Sequence, residues 1–260
     1  LDRQLVQDAG GGMLDMAPRP GEQPDAFHAL KVGRLRKLES LGLAEQVGPG
    51  QWTLQENAEA TLRELGVRGD IIKRIHRGLT ERGLDRGASS FVFAGESLGD
   101  PVVGRLIAHG LDDELAGTAY AVVDGIDGRT HHLRLPDLDA AGDSPPGSIV
   151  ESRRFEDARG QKRVALAVRS DLSIEQQAIA PGATWLDRQL VSRAPPALGE
   201  GGFGAEVSAA MRARADQLIE QGLARRQNER LIFALDLLTT LRRRELDQVG
   251  AKLSVENGLP

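Results

Sequence analysis

Leu1-Asp2-Arg3-Gln4-Leu5-Val6 recurs without a change as Leu186-Asp187-Arg188-Gln189-Leu190-Val191. The residues after each copy decide how the chain is organised. After the first copy comes a helical stretch, Ala29 to Leu41, that runs into Gly42-Leu43-Ala44. After the second comes Glu206 to Gln221, then Gly222-Leu223-Ala224. Each Gly-Leu-Ala is followed by a polar turn and a β-prone piece, Gln51-Trp52-Thr53-Leu54 in one case and Arg230-Leu231-Ile232-Phe233 in the other. A further helix then carries Thr61-Leu62-Arg63 or Thr240-Leu241-Arg242. From the Gly to that Thr the spacing is 19 residues (42 to 61) in one copy and 18 (222 to 240) in the other. Matched order and spacing predict an internal duplication, each copy reading helix, loop, helix, hairpin, helix.

In the first copy Leu30, Leu35, Leu38 and Leu41 approximate a stripe of helical period, with Val32 near the same face. Lys31, Arg34 and Lys37 recur every three residues on the other side, with Arg36 beside them. Gly42 ends the helix as a C-cap glycine, and Gly48-Pro49-Gly50 marks a hairpin tip. A basic helix followed by a hairpin resembles a winged helix, in which the helix enters the DNA major groove and the wing rests on the backbone. In the second copy Met211, Ala215, Leu218 and Ile219 are expected to face inward. Arg212, Arg214, Arg225, Arg226 and Arg230 are expected on the helix surface and the wing. These residues, with Arg68, Lys73, Arg74 and Arg77 on a basic helix from Val67 to Gly83, make up the candidate DNA-binding set.

Between the copies lie five candidate strands, Val102–Ala108, Ala116–Val123, Arg129–Leu135, Ser148–Arg153 and Arg163–Arg169. Asp124-Gly125-Ile126-Asp127-Gly128 and Asp143-Ser144-Pro145-Pro146-Gly147 are turn signals among them. Five short strands with such turns predict a small β-barrel, SH3-like or OB-like. The fold expected is α+β, with two winged-helix-like units flanking that barrel. The expected boundaries are 1–66 for the first unit, 67–101 for the basic helix and a linker, 102–170 for the barrel and 171–260 for the second unit.

The composition, 40% hydrophobic and 27% charged, is that of a globular protein and excludes wholesale disorder. The chain contains no Cys, which excludes a disulfide scaffold, a thiol nucleophile and Cys-based metal sites, and fits a reducing cytoplasm. No apolar run approaches the roughly 20 residues that span a bilayer, so no membrane partner is expected. The sequence begins at Leu1, not Met, and reads as a piece of a longer protein. Net charge is −5, which argues against an indiscriminate nucleic-acid binder. Charge is unevenly spread: residues 91–150 carry 3 basic and 10 acidic side chains, whereas residues 61–90 carry 7 and 4. The acidic middle should repel phosphate, leaving contact to the helical flanks.

The catalytic motifs are sparse. His131 and His132 sit side by side on a strand and so point to opposite faces, which prevents them from chelating one metal without a bulge. One is expected to face the barrel and the other solvent. His28, His76 and His109 form no spaced ligand set. Asp112-Asp113-Glu114 reads as a solvated turn, and Tyr120, the only tyrosine, lies in an apolar strand that does not suit a nucleophile. Gly199 to Gly204 leads into a helix but lacks the strand and the Lys-Ser/Thr of a phosphate loop. No catalytic residue, metal or cofactor is expected.

The run from Thr118 to Arg129 (TAYAVVDGIDGR), His131-His132, Ala183 to Leu190 (ATWLDRQL) and Arg68 to Lys73 (RGDIIK) resemble stretches in the C-terminal part of plasmid relaxases. These are the mobilization nucleases that start conjugative DNA transfer, and this part is a domain of uncharacterised function that follows the nuclease. The resemblance covers most of residues 25–260. It implies a parent enzyme that nicks and rejoins one strand at a transfer origin through a catalytic Tyr and a His-ligated metal, both in a domain that nothing here matches. The expected function is therefore a non-catalytic region of a relaxase that binds transfer-origin DNA, relaxosome or secretion-system proteins. Two other readings remain open at this point: a protein-interaction scaffold that docks a basic partner on the acidic barrel without DNA contact, and an enzyme with a barrel-centred site.

Overall fold

The computed structural model describes residues 1–10, 13–17, 25–93, 101–228 and 230–256. It is a mixed α+β structure in two compact units, Leu1–Lys73 and Arg74–Pro260. The division falls inside the long helix Ala58–Glu81. Gly66 and Gly69 have open space where a Cβ would stand and are carried within the helix.

The first unit contains α1 (Asp2–Ala9), β1 (Met13–Asp15), α2 (Ala26–Ser40), β2 (Ala44–Gly48), β3 (Gln51–Leu54) and the start of α3 (Ala58–Glu81). Asp25 caps α2 by accepting a hydrogen bond from the His28 N–H. β2 and β3 form a hairpin, and β1 pairs with the other edge of β3, giving sheet order β1-β3-β2. Leu5, Leu35, Leu38, Leu43, Trp52 and Ala58 form the core.

The second unit begins with the rest of α3 and continues through β4 (Phe91–Val92), β5 (Val103–Asp113), β6 (Thr118–Gly125), β7 (Thr130–Leu135), β8 (Ile149–Glu156) and β9 (Lys162–Ser170). All five expected strands are present. They join a six-stranded sheet of order β4-β7-β6-β5-β8-β9, antiparallel except where β4 runs parallel to β7. The expected closed barrel is not found: no ladder joins β9 to β4 or β7 among the described residues. Closure needs strand tilt and shear to agree around the whole circuit, and here the short parallel strand β4 takes the edge of β7 that a closing strand would need.

The sheet is covered on both faces. Ala119, Ala121, Val123 and Leu135 point to one side and pack with Leu106, Ala141 and Val150. On β5, Ile107 meets α3: a Cβ on Gly78 would stand 3.1 Å from its side chain, and the Arg82 Nε donates to the Ile107 carbonyl at 2.9 Å. This explains why His131 and His132, which do point to opposite faces, are both buried, at 5% and 1% exposure. The expectation that one would meet solvent is corrected by the layers on either side.

The chain then forms α4 (Ile174–Ile179), α5 (Trp185–Leu190), α6 (Gly202–Glu220), the hairpin β10 (Ala224–Gln227) with β11 (Arg230–Phe233), and α7 (Leu237–Glu256). This segment packs on the sheet in the same compact unit, with Ile126 and Ile149 in one core with Ile174, Trp185, Leu186, Phe203 and Val207. Two glycines permit the approach of α6. The Gly199 N–H donates to the Ile126 carbonyl at 2.7 Å, and a side chain at Gly199 or Gly204 would collide with the backbone of the β6–β7 turn. The glycine-rich run therefore lets two backbones touch, which is a packing role.

The two copies of the repeat share their backbone hydrogen bonds. Leu43 N–H donates to the Leu38 carbonyl at 2.9 Å and Leu223 N–H to the Leu218 carbonyl at 2.8 Å. Gln55 N–H reaches Leu43 at 3.0 Å, and Ala234 N–H reaches Leu223 at 2.9 Å. Ala58 reaches Gln55 at 2.9 Å as Leu237 reaches Ala234 at 3.1 Å. Core positions correspond as well, with Leu38, Leu43 and Ala58 matched by Leu218, Leu223 and Leu237. The two spacings differ by one residue because β2 carries a bulge between Gln46 and Gly48 that places Val47 outside the ladder. β10 and β11 pair without a shift.

Candidate nucleic-acid interface

The strand pairing sorts each hairpin into two faces. In the second, Ala224, Arg226, Leu231 and Phe233 share one side, and Arg225, Gln227, Arg230 and Ile232 share the other. Ala224 and Phe233 belong to the core, so the second set faces outward, and Arg225, Gln227, Arg230 and Ile232 are all exposed. Arg226 turns back to pair with Asp216 on α6 at 2.7 Å. The helices on either side add the exposed Arg212 on α6 and the exposed Arg242 and Arg243 on α7, of which the last two were not in the expected set. Arg212 reaches back to the Ser208 hydroxyl at 3.2 Å.

The equivalent face of the first hairpin is different in charge. Glu45, Thr53 and Met13 align across its three strands, with Asp15 and Gln51 beside them. It offers carboxylates where the second hairpin offers guanidinium groups.

The helix expected to read DNA in the first unit is partly occupied by internal contacts. Arg34 makes a two-pronged pair with Asp2, Nε to Oδ1 at 2.6 Å and Nη2 to Oδ2 at 2.8 Å. Lys31 pairs with Asp8 at 2.7 Å and stands 5.0 Å from the Phe27 ring centre. Arg36 and Lys37 are exposed on the same helix. On α3, Arg68 and Arg77 are exposed, Lys73 lies 3.4 Å from Asp70, and Arg74 is turned onto the sheet. There Arg74 pairs with Asp112 at 2.7 Å and lies 4.1 Å from the Tyr120 ring centre, which itself stacks on His132.

Arg214 requires an outright correction. It was expected on the helix surface and is fully buried. Its Nε and Nη2 grip Asp187 at 2.8 and 2.9 Å, and its remaining donors reach the Ala180 and Gly182 carbonyls. Asp187 also accepts from the Thr184 N–H at 2.7 Å and the Thr184 hydroxyl at 2.9 Å. A buried ion pair is tolerated only when its remaining polar atoms are satisfied in this way. Arg34 and Arg214 occupy the same place in the two copies, eight residues before Gly42 and Gly222, and Asp2 and Asp187 are the same letter of the six-residue repeat. The repeated six residues thus contain one half of a clasp whose other half is on the next helix.

A second buried charge cluster joins α6 to the sheet. Asp124, fully buried, receives Arg86 at 2.8 Å and Arg105 at 3.0 Å, and Glu206 pairs with the same two guanidinium groups. The Arg105 guanidinium also lies 4.5 Å from the Phe203 ring centre.

The second unit also contains a cavity of about 660 Å³. Val103, Ile126, Trp185 and Pro196 form its apolar wall, and Asp127, His131, Glu151 and Gln189 supply polar atoms. His131 Nε2 lies 2.9 and 3.1 Å from the two Asp127 oxygens. Burial alone would raise the pKa of Asp127, but hydrogen bonds to His131 and from the Arg129 N–H outweigh it and hold this carboxyl below its ordinary value. Nothing in the periodicity of the sequence marks the cavity, because its lining comes from β5 and the residues before it, the β6–β7 turn, β7, β8, α5 and the segment after it.

Among the described residues no group of three or more His, Asp or Glu side chains could hold a metal ion. No helix among them is long and apolar enough to cross a membrane. No curated protein and no solved structure matches the chain. Residues 31–161 and 151–260 match a family described as a protein of unknown function, DUF3363. These matches take in the α3 basic helix, the sheet and the whole second repeat, and the chain belongs to this family of unknown function.

Proposed function

We propose that the chain is a non-catalytic, DNA-binding region of a conjugative relaxase, in which each helix–hairpin–helix copy is a winged-helix-like unit. The observation that carries this reading is the outer face of the second hairpin, where Arg225 and Arg230 are exposed with Gln227 between them. Two guanidinium groups on a short antiparallel ribbon suit phosphate oxygens, which Arg engages in a two-pronged fashion. Arg212, Arg242 and Arg243 extend the basic character to the neighbouring helices. The first copy, with Glu45 and Asp15 in the corresponding place, is left to its own core or to a protein neighbour such as another relaxosome component. Transfer-origin DNA is the proposed ligand, and the relaxase resemblance in residues 118–132 and 183–190 supports that choice.

The test is fluorescence anisotropy with labelled duplex and single-stranded transfer-origin DNA across a salt series. Replacing Arg225 and Arg230 together by Ala should lower the slope of log affinity against log salt by about two units, one for each phosphate that is no longer neutralised. Arg129→Ala with Arg134→Ala, in the β6–β7 turn and on β7, should leave that slope unchanged. An equal fall in slope from both pairs, or no binding at low salt, would refute the assignment and leave docking of a protein partner as the better account.

A further inference from the structure

We infer that the cavity between the sheet and α5 is a binding site for a purine or pyrimidine nucleotide, separate from the hairpin face. None of its lining residues lies on either hairpin. The volume, about 660 Å³, falls in the range of small-molecule sites, roughly 300–1,000 Å³. The lining has two chemistries. Trp185 and Ile126, each only 5% exposed, form the apolar back wall, and Val103 and Pro196 continue it. An apolar wall of this kind takes the body of a planar heterocycle out of water, as small-molecule sites do. Opposed to them are acceptors. Among the described residues, both ion-pair contacts of Glu151, to Arg169 Nε and Nη2, fall on Oε2, which leaves Oε1 to accept a further hydrogen bond. Gln189 supplies an amide that both donates and accepts. Asp127 is fixed by His131 and the Arg129 N–H and is held ionised, so it too presents an acceptor.

An acceptor-rich floor selects a heterocycle that carries an amino group. Adenine, cytosine and guanine each have one, and thymine has none. Asp127 and Glu151 would repel a phosphate placed inside the cavity. A second cleft of about 300 Å³ adjoins it, sharing Pro101 and Glu151, and is lined by Arg153 and Arg154. That arrangement places the base inside and its phosphate at the basic rim. The same chemistry is offered by a free nucleotide and by an unstacked nucleotide of a single strand.

Trp185 lines the cavity and provides the readout, since the second tryptophan, Trp52, belongs to the core of the first unit and lines none of it. The whole chain is titrated with dAMP, dCMP, dGMP, dTMP, the corresponding nucleosides, and a short single-stranded oligonucleotide with and without an abasic position. Saturable quenching is expected from the amino-bearing monophosphates, with dTMP the weakest. The nucleosides should bind about tenfold more weakly, the worth of one charge-assisted contact. Arg153→Ala should remove that difference, and Gln189→Ala, at a half-buried position outside the core, should weaken all the monophosphates alike. If the intact oligonucleotide outcompetes the monophosphates and the abasic one does not, the ligand is part of a strand. If the monophosphates bind as tightly as the intact oligonucleotide, it is a free nucleotide. Absence of saturable quenching by every nucleotide, or equal binding of dTMP and dAMP unaffected by Gln189→Ala, overturns the assignment. The Arg225 and Arg230 variant tests the hairpin and should leave this titration unchanged, so the two readings fail separately.

Discussion

Arg214→Ala should destabilise the second unit by about 3–5 kcal/mol, because it leaves the Asp187 carboxylate buried without its partner. Both side chains are wholly inaccessible to water. The remaining hydrogen bonds from Thr184 cannot replace a guanidinium that contacts both carboxylate oxygens. The matching change in the first copy, Arg34→Ala, breaks a pair of the same geometry whose side chains are 33% and 38% exposed. Water and salt already screen that pair, so its loss should cost about 1 kcal/mol or less. Urea unfolding followed by circular dichroism measures both. Equal destabilisation in the two variants would show that burial does not distinguish the clasps. Replacing Arg214 and Asp187 together by Met and Leu should recover a large part of the stability, since an apolar pair of similar volume avoids the stranded charge.

Acid should destabilise the fold through His132. Burial, and next the Arg74 guanidinium, push its pKa from 6.5 down to about 4. In the unfolded chain the imidazole takes up its proton near pH 6.5. Between these two values the unfolded chain binds more protons than the folded one, so stability rises with pH across this window. The contribution is complete above pH 6.5 and is lost progressively as the pH drops towards 4, where the accumulated loss is about 3 kcal/mol. His132→Phe keeps a ring against Tyr120 and removes the titration. Unfolding measured from pH 7 to pH 4 should lose most of its pH dependence in that variant. Asp127, whose pKa lies below its ordinary value, contributes stability that is lost only at more acid pH, so the two groups act in separate windows. An unchanged slope in the His132 variant would show that the imidazole is solvated in the folded protein.

The repeat and the strands could be read from the sequence because their signals are local. Gly42 and Gly222 end their helices, and the pieces Gln51–Leu54 and Arg230–Phe233 form the second strands of their hairpins. Barrel closure was not legible, since the pattern of β5 to β9 sets which side chains alternate and says nothing of strand tilt. Alternation likewise puts His131 and His132 on opposite faces but cannot say what covers each face. Arg214 was misplaced for a related reason: helical spacing shows which residues share a side, and an Arg reads as exposed unless its carboxylate is known. That partner was in plain view, in the recurring Leu-Asp-Arg-Gln-Leu-Val, but far along the chain, because Asp2 and Arg34 stand 32 residues apart and Asp187 and Arg214 stand 27 apart. The cavity draws on six separate parts of the chain, and no local pattern announces it.

The extra residue at Val47 has a practical consequence. Ala44 still faces Leu54 and Gln46 still faces Trp52, so the ladder on the helix side of the bulge is undisturbed. Ala224 facing Phe233 and Arg226 facing Leu231 show the same ladder built without it. The neck of the first hairpin is therefore a place where chain length can change without cost to the core. A fluorophore-bearing side chain placed at Val47, outside the ladder and ahead of Gly50, whose carbonyl accepts from the Met16 N–H at 2.6 Å, would report on the protein in the cell while leaving the strand pairing, and the basic hairpin of the other copy, as they are.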